Sequence, residues 1–253
     1  MTTEVQDELQ KDRFRATLLS YTRRAFRMLP ALVHPAILDI GCGTGVPTLE
    51  LARLSNGTVL GLDINQPALD DLQRKIDAAN LSDRVKAVNG SLFELEFPDE
   101  SFDIVWAEGS IAVIGFEQGL DAWRRLLKPG GFLVVHDEIG DVKTKLNRIT
   151  KSGYELLGHF NVSTDEWWRA YYEPLEKRIA ELRELYSDDA NVLAMLNNEY
   201  REVALFKRNP ERCASVFFVM QKRAQNPFGE IQSALARTQV VPIVQFSTKN
   251  PLF

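Results

Sequence analysis

The stretch Ile37-Leu38-Asp39-Ile40-Gly41-Cys42-Gly43-Thr44-Gly45 decides how this chain folds. With Ala36 it starts as an apolar run, the pattern of a strand buried on both faces. It then passes through Asp39 into glycines at alternate positions, 41, 43 and 45. Each glycine removes a side chain and permits positive φ, so bare backbone can approach a ligand closely. Val46-Pro47-Thr48-Leu49-Glu50-Leu51-Ala52 follows with helical spacing. The glycines therefore belong where a strand turns into a helix, with N–H groups expected to be free and to face a nucleotide-like ligand. Against the dinucleotide fingerprint Gly-x-Gly-x-x-Gly, Val46 stands where the third glycine belongs.

Outward from this loop the chain alternates. Gly57-Thr58-Val59-Leu60-Gly61-Leu62-Asp63 reads as a second strand ending in an acid, and 67–80 as a helix with Leu69, Leu72, Ile76 and Ala79 on one stripe. Strands are expected at 83–89 and 101–107, a helix over 116–127, a stop at Lys128-Pro129-Gly130-Gly131, and a further buried strand at 132–136. This rhythm predicts a doubly wound α/β sheet with parallel strands. Later, 154–162 and 216–222 read as strands with a long helical stretch between them. That stretch opens on a capping box, Ser163-x-x-Glu166, and carries Trp168, Tyr172, Leu175, Ile179, Leu182 and Tyr186 at spacings of three and four. Pro174 kinks it or starts a new helix. Residues 4–29 read as one helix with an apolar stripe (Phe14, Leu18, Tyr21, Ala25, Met28) and a basic face of Lys11, Arg13, Arg15, Arg23, Arg24 and Arg27. Residues 223–253 have weak periodicity and are left unassigned.

With 253 residues, 45% apolar and 26% charged, the chain has the bulk of an ordinary globular domain. A net charge of −5 gives no general reason to expect nucleic acid as a partner. The N-terminus lacks a basic-then-apolar signal, no run is long enough to span a bilayer, and the cysteines, Cys42 and Cys213, are far apart in sequence. A cytoplasmic location and no metal site are the expectation.

Asp39-Ile40-Gly41-Cys42-Gly43-Thr44-Gly45 closely resembles the first motif of class I S-adenosylmethionine (SAM)-dependent methyltransferases. Leu62-Asp63 matches the family's second motif, and Asn89-Gly90-Ser91-Leu92 lies where the family usually has Gly-Asp-Ala. Phe102-Asp103-Ile104-Val105 and Leu127-Lys128-Pro129-Gly130-Gly131-Phe132 match as well, so the resemblance covers 35–138. It implies a seven-stranded Rossmann-like methyltransferase sheet with a helical cap inserted before the last strand. The corresponding division of a single domain, 1–253, is a lid over 1–30, a core of 31–162 and 214–222, a cap over 163–212 and the tail.

The implied donor is SAM, with S-adenosylhomocysteine as product. The residues assigned to it are Asp39, Gly41, Cys42, Gly43, Thr44 and Gly45 of the loop, Asp63 for the ribose hydroxyls, Ile64 against the adenine face, and Ser91, Leu92 and Glu108. Ser91 places a hydroxyl where the family has an acid. Helix capping is the competing role for Asp63.

Methyl transfer from a sulfonium needs alignment in a water-poor cavity, and a base only where the acceptor must lose a proton. Glu108, at the end of the fourth strand, and His136, at the end of the fifth, are the catalytic candidates; a structural role is the alternative for each. The Asn/Asp-Pro-Pro-aromatic motif of enzymes that methylate nucleobase amines or glutamine is missing after the fourth strand, which favours a small-molecule acceptor. Trp167, Trp168, Tyr171 and Tyr172 are expected to line its cavity from the cap, and Tyr21 to reach the SAM carboxylate from the lid. The competing readings are an RNA or protein acceptor docking on the basic N-terminal helix, and a SAM-binding protein without catalysis.

Overall fold

The computed structural model describes residues 2–223 of the chain. The tail left unassigned above lies outside them from residue 224 on.

Seven strands form one sheet: β1 Ala36–Ile40, β2 Thr58–Asp63, β3 Val85–Asn89, β4 Phe102–Glu108, β5 Leu127–Glu138, β6 Tyr154–Val162 and β7 Ser215–Lys222. Their order is β3-β2-β1-β4-β5-β7-β6; β1 to β5 pair in parallel, and β7 runs antiparallel between β5 and β6. Successive side chains of each strand go to opposite layers, because strand period is two. Ile37, Ile104, Val134 and Phe217 join the core on one face, while their neighbours Leu38, Val105, Leu133 and Phe218 join the core on the other. Sequences apolar in both registers are what a sheet covered on both faces requires.

The covering helices begin with α1 Thr2–Glu8, α2 Lys11–Ala16, α3 Leu19–Phe26, α4 Val46–Ser55 and α5 Gln66–Ala78. α6 Ile111–Ile114, α7 Phe116–Trp123 and α8 Val142–Lys151 follow. The expected single N-terminal helix over 4–29 is therefore three short ones. Gln10 turns left-handed at φ 56° between the first two. The break follows from packing: Val5, Leu9 and Leu18 are buried against Leu175, Ile179 and Leu182, whereas Ala25 belongs to the core of the sheet. A straight helix cannot reach both surfaces. The helix at 116 is also shorter than its spacing suggested. It passes into a 3-10 turn at Arg124–Leu126, and β5 already pairs at Leu127 with Phe102, so Lys128-Pro129-Gly130-Gly131 lies inside the strand as an irregularity of its ladder.

Between β6 and β7 stands the helical insertion: α9 Thr164–Trp167, a π-type turn over Trp168–Tyr172, α10 Glu173–Leu185 and α11 Ala190–Arg208. The capping box is formed, with the Ser163 hydroxyl accepting from the Glu166 N–H at 3.2 Å and the Glu166 carboxylate accepting from the Ser163 N–H at 2.7 Å. Pro174 has no N–H to give the Ala170 carbonyl, and that carbonyl instead accepts from the Thr17 hydroxyl at 3.1 Å. The proline thus explains the widened turn and supplies a tie between the insertion and the N-terminal helices.

Candidate active site

Strand order reverses between β1 and β4, and the carboxyl ends at such a switch point form the ligand crevice of open α/β sheets. Here those ends bring Gly41, Asp63 and Glu108 to the wall of one cavity of about 490 Å³. Asp63 accepts from the Gly43 N–H at 2.8 Å with one oxygen and from the Asn65 N–H at 2.9 Å with the other. Its carboxylate is fixed in place and keeps lone pairs for two ligand hydroxyls. Helix α5 is capped by Asn65, which accepts from the Ala68 N–H at 3.3 Å, so the capping role considered for Asp63 falls to its neighbour. Beyond Asp63 the wall is apolar. Ile64, Phe93 and Val113 stand 74%, 62% and 64% exposed around this one cavity, the surroundings a flat aromatic heterocycle needs. Ser91 and Leu92 line it between them. An adenosine group fits this donor set: a carboxylate for two hydroxyls, apolar faces for a ring, and a serine hydroxyl at the rim.

The glycine loop behaves differently from expectation. Four of its N–H groups are already engaged: Gly41 and Cys42 donate to the Leu62 carbonyl at 2.7 and 3.0 Å, Gly43 to Asp63, and Gly45 to the Cys42 carbonyl at 3.0 Å. Most of the donors that a pyrophosphate-binding turn would offer an anion are thus spent within the fold. What it contributes is room. At Gly41, φ is +73° and a Cβ would overlap Ser110 on the neighbouring loop. Of the loop residues assigned to the donor, Gly41 lines the cavity, and the others do not. Cys42 is buried in the core, its sulfur in the space a Cβ on Gly61 would need, and burial pushes its thiol pKa up. Thr44 turns its hydroxyl to Asp12 of α2 at 2.6 Å.

Asp39 likewise does not line the cavity. It is 1% exposed and accepts from the Thr48 hydroxyl at 2.6 Å, tying β1 to α4. Burial, followed by the repulsion of Glu108 and Asp63, pushes its pKa from 3.8 up to about 7. A carboxyl whose folded pKa lies above its unfolded one favours the fold at low pH, and that contribution is lost as pH rises through the folded pKa. Asp39→Asn keeps the acceptor for Thr48 and removes the titration. Its stability relative to the native chain is expected to rise between about pH 4 and pH 7, by at most about 1.4 kcal/mol per pH unit. Urea unfolding across that range measures the difference; a flat difference would mean that Asp39 is ionised in the fold.

Glu108 closes the cavity at the other end. Its side chain is 3% exposed and accepts from Arg15 of α2 at 2.7 Å, Thr22 of α3 at 2.8 Å and the Trp106 indole at 2.9 Å. A second cavity, of about 390 Å³, begins on the far side of Glu108 and Gly109. His136, Trp167, Tyr171 and Tyr172 line it, with Arg15 and Glu202. Three of the four predicted aromatics thus meet there. Trp168 does not: it stacks on Phe206 at 5.5 Å inside the insertion. Tyr21 also departs from its predicted place, since its hydroxyl donates to Glu166 and it does not line the first cavity.

His136 is 4% exposed and sandwiched between Phe217 at 4.2 Å and Trp167 at 5.8 Å, both nearly parallel to it. Its Nε2 shares a 2.6 Å hydrogen bond with the Ser215 hydroxyl, which also accepts from the Trp167 indole at 2.8 Å. Burial, and then the charge of Arg15, pull its pKa down to about 3, so the ring is neutral near pH 7 and a weak base. Phe93, Val113, Arg15 and Gly109 carry no motif, and nothing local in the sequence singles them out. Among the described residues no group of three or more His, Cys, Asp or Glu is placed to hold a metal ion, and no helix is long and apolar enough to cross a membrane.

Residues 37–131, which run from Ile37 of β1 through the loop, Asp63 and β4, match the family model described as a methyltransferase domain. Over those residues the chain carries a methyltransferase domain. SAM is the cofactor of such domains. The chain is 31% identical to a sterol 24-C-methyltransferase of Gibberella zeae over 170 residues, 55% of this chain and 45% of that one. It is 34% identical to the 27-O-demethylrifamycin SV methyltransferase of Amycolatopsis mediterranei over 122 residues, 46% of this chain and 43% of that one. The chain thus spans under half the length of these curated relatives. Among solved structures, the cyclase SpnF superposes with a TM-score of 0.68 at 21% identity, covering 81% of this chain and 80% of that one. A geranyl diphosphate methyltransferase in complex with SAM gives 0.59 at 12%, covering 80% and 84%. At such identities the likeness is one of fold. The methyltransferase domain here has the same seven-stranded, helix-flanked sheet.

Proposed function

We propose that this protein transfers the methyl group of SAM to a small-molecule acceptor in the cytoplasm, with the N-terminal helices as lid and residues 163–212 as cap. The observation that carries the reading is the pair of cavities, one with the features of an adenosine site and one aromatic, whose shared lining is Glu108 and Gly109. When bound, SAM supplies a methyl carbon on a positively charged sulfur, which an acceptor lone pair displaces in line as the C–S electron pair returns to sulfur.

The chain's own residues do the positioning. Asp63 holds the ribose hydroxyls; Ile64, Phe93 and Val113 pack on the adenine, with the Ser91 hydroxyl and the Leu92 N–H at its edge. Gly41 leaves space for the amino-acid end. Glu108, which already accepts from three donors, serves as a fixed wall between donor and acceptor rather than as a proton carrier. His136 keeps Trp167 in place through Ser215 and stays uncharged. Trp167, Tyr171 and Tyr172 exclude water from the acceptor and hold its apolar body.

A small molecule suits a cavity of about 390 Å³. Docking of RNA on the N-terminal helices is disfavoured by where their charges go. Lys11 pairs with Glu199 at 2.9 Å, Arg15 with Glu108 at 2.7 Å and Arg23 with Glu50 at 2.5 Å. These three cations tie the lid down, which removes half of the six-residue basic face (Lys11, Arg13, Arg15, Arg23, Arg24, Arg27) from any stripe open to a polyanion.

Thermal unfolding with added ligand tests the reading. S-adenosylhomocysteine at a hundred times its Kd should add about 2.7 kcal/mol and raise Tm by roughly 5–10 °C, while NAD should not shift it. No shift at millimolar S-adenosylhomocysteine would overturn the donor assignment. Release of S-adenosylhomocysteine from SAM in the presence of an acceptor pool then separates an enzyme from a protein that only binds.

A further inference from the structure

Donor and acceptor must meet at one point, and the chain leaves an opening there. Gly109 follows Glu108 at the end of β4 and lines both cavities. Its φ is +83°, and a Cβ built on it would meet no atom within 4 Å. The residue is exposed, although the strand before it is buried from Ile104 to Ala107. Its backbone cannot swing aside, since its N–H donates to the His136 carbonyl on β5 at 2.8 Å. Next to it, the Glu108 carboxylate is turned into its own three hydrogen bonds. The space that a side chain at 109 would take is open and borders both cavities, and no neighbouring atom demands that it be empty.

We propose that Gly109 is the aperture through which the methyl group passes, and that its missing side chain sets how large a group can cross from the donor side to the acceptor side. This rests on the donor assignment made above. A structural glycine in a crowded turn would show a different signature: at Gly41 and Gly45 the place of a Cβ is already taken by Ser110 and Leu72. Gly109 shares their positive φ without the crowding. Ala112, which lines the acceptor side one helical turn on, keeps that rim low as well.

The test needs no known acceptor. The probe is a nitrogen-for-sulfur analogue of SAM that carries a butyl arm in place of the methyl group, compared with S-adenosylhomocysteine, which carries no group there. Binding of each is measured by calorimetry on the full chain and on Gly109→Ala. Gly130→Ala serves as the control for backbone strain: Gly130 has φ +73°, a Cβ there would touch only the Gln221 amide at 3.6 Å, and it lines neither cavity.

In Gly109→Ala, affinity for S-adenosylhomocysteine should stay within threefold of native and affinity for the butyl probe should fall at least tenfold. Gly130→Ala should change neither. Equal weakening of both ligands in Gly109→Ala would overturn the aperture in favour of a general role in donor binding. Unchanged binding of both would mean that the arm leaves by another route. If S-adenosylhomocysteine failed to bind the native chain, the donor assignment itself would fall, and the aperture with it.

Discussion

Asp63→Ala is expected to weaken S-adenosylhomocysteine binding by at least two orders of magnitude. The carboxylate is oriented before any ligand arrives, because the Gly43 and Asn65 N–H groups hold its two oxygens at 2.8 and 2.9 Å. Two ribose hydroxyls donating to such a group make charge-assisted bonds of about 1.5–3 kcal/mol each. Losing both costs at least about 3 kcal/mol, a factor of roughly a hundred in Kd. Part of the effect comes through the loop, since Gly43 loses its acceptor and the turn above the cavity loosens. Asp63→Asn separates the two contributions: an amide oxygen can still accept from Gly43, so the turn is kept while the charge goes. Intermediate binding by the asparagine variant is the expected order. Titration calorimetry reads all three chains, and an alanine variant that bound within threefold of native would remove Asp63 from the ribose site.

The second large effect concerns stability. Glu108→Ala should lower the Tm of the ligand-free protein by roughly 8–24 °C. Its carboxylate neutralises Arg15 and accepts from Thr22 and Trp106, so it ties α2, α3 and β4 to one point. Trp106 is fully buried, and an indole N–H left without an acceptor costs about 1–3 kcal/mol. Breaking a buried ion pair costs about 3–5 kcal/mol, but Arg15 keeps 24% of its side chain exposed and is partly rehydrated, so the lower end applies. A total of about 4–6 kcal/mol in a domain of this size corresponds to the stated change in Tm. Arg15→Ala should cost less, because Thr22 and Trp106 still hold the carboxylate. A drop below 2 °C for Glu108→Ala, or a larger loss for Arg15→Ala, would contradict this division.

The two effects fall on residues of different legibility. Asp63 could be read from the chain because it closes a strand whose apolar run and terminal acid are contiguous. The same holds for the glycine loop, for the alternation of strands and helices, and for the capping box at Ser163. In each case the cause lies within a few residues, in period, glycine spacing or a local hydrogen bond. Pro174 also acted locally, by withholding an N–H from Ala170.

The errors came where a side chain's role depends on what faces it across the fold. Asp39 and Cys42 lie inside the decisive motif, yet neither lines the cavity, because Asp39 is tied to Thr48 of α4 and Cys42 is packed into the core beside Gly61. Trp167 and Trp168 are adjacent in the chain and differ in the same way: one reaches the aromatic cavity and the other stacks on Phe206. The N-terminal stripe was continuous in sequence but had to serve two surfaces, and the chain broke at Gln10 to reach both. Phe93 and Val113 were ordinary residues of a loop and a short helix until β2, β3 and β4 set them around one cavity.

By itself, then, the amino-acid sequence determined the order of strands and helices, the turn over which the donor cavity forms and the acid at its edge, since period and backbone freedom are local properties. Only the tertiary structure decided that Arg15 would reach Glu108, that the loop amides would be spent on Leu62 and Asp63, and that two cavities would meet at Gly109. Those outcomes depend on contacts between residues far apart in the chain, and such contacts are set by how the helices pack on the finished sheet.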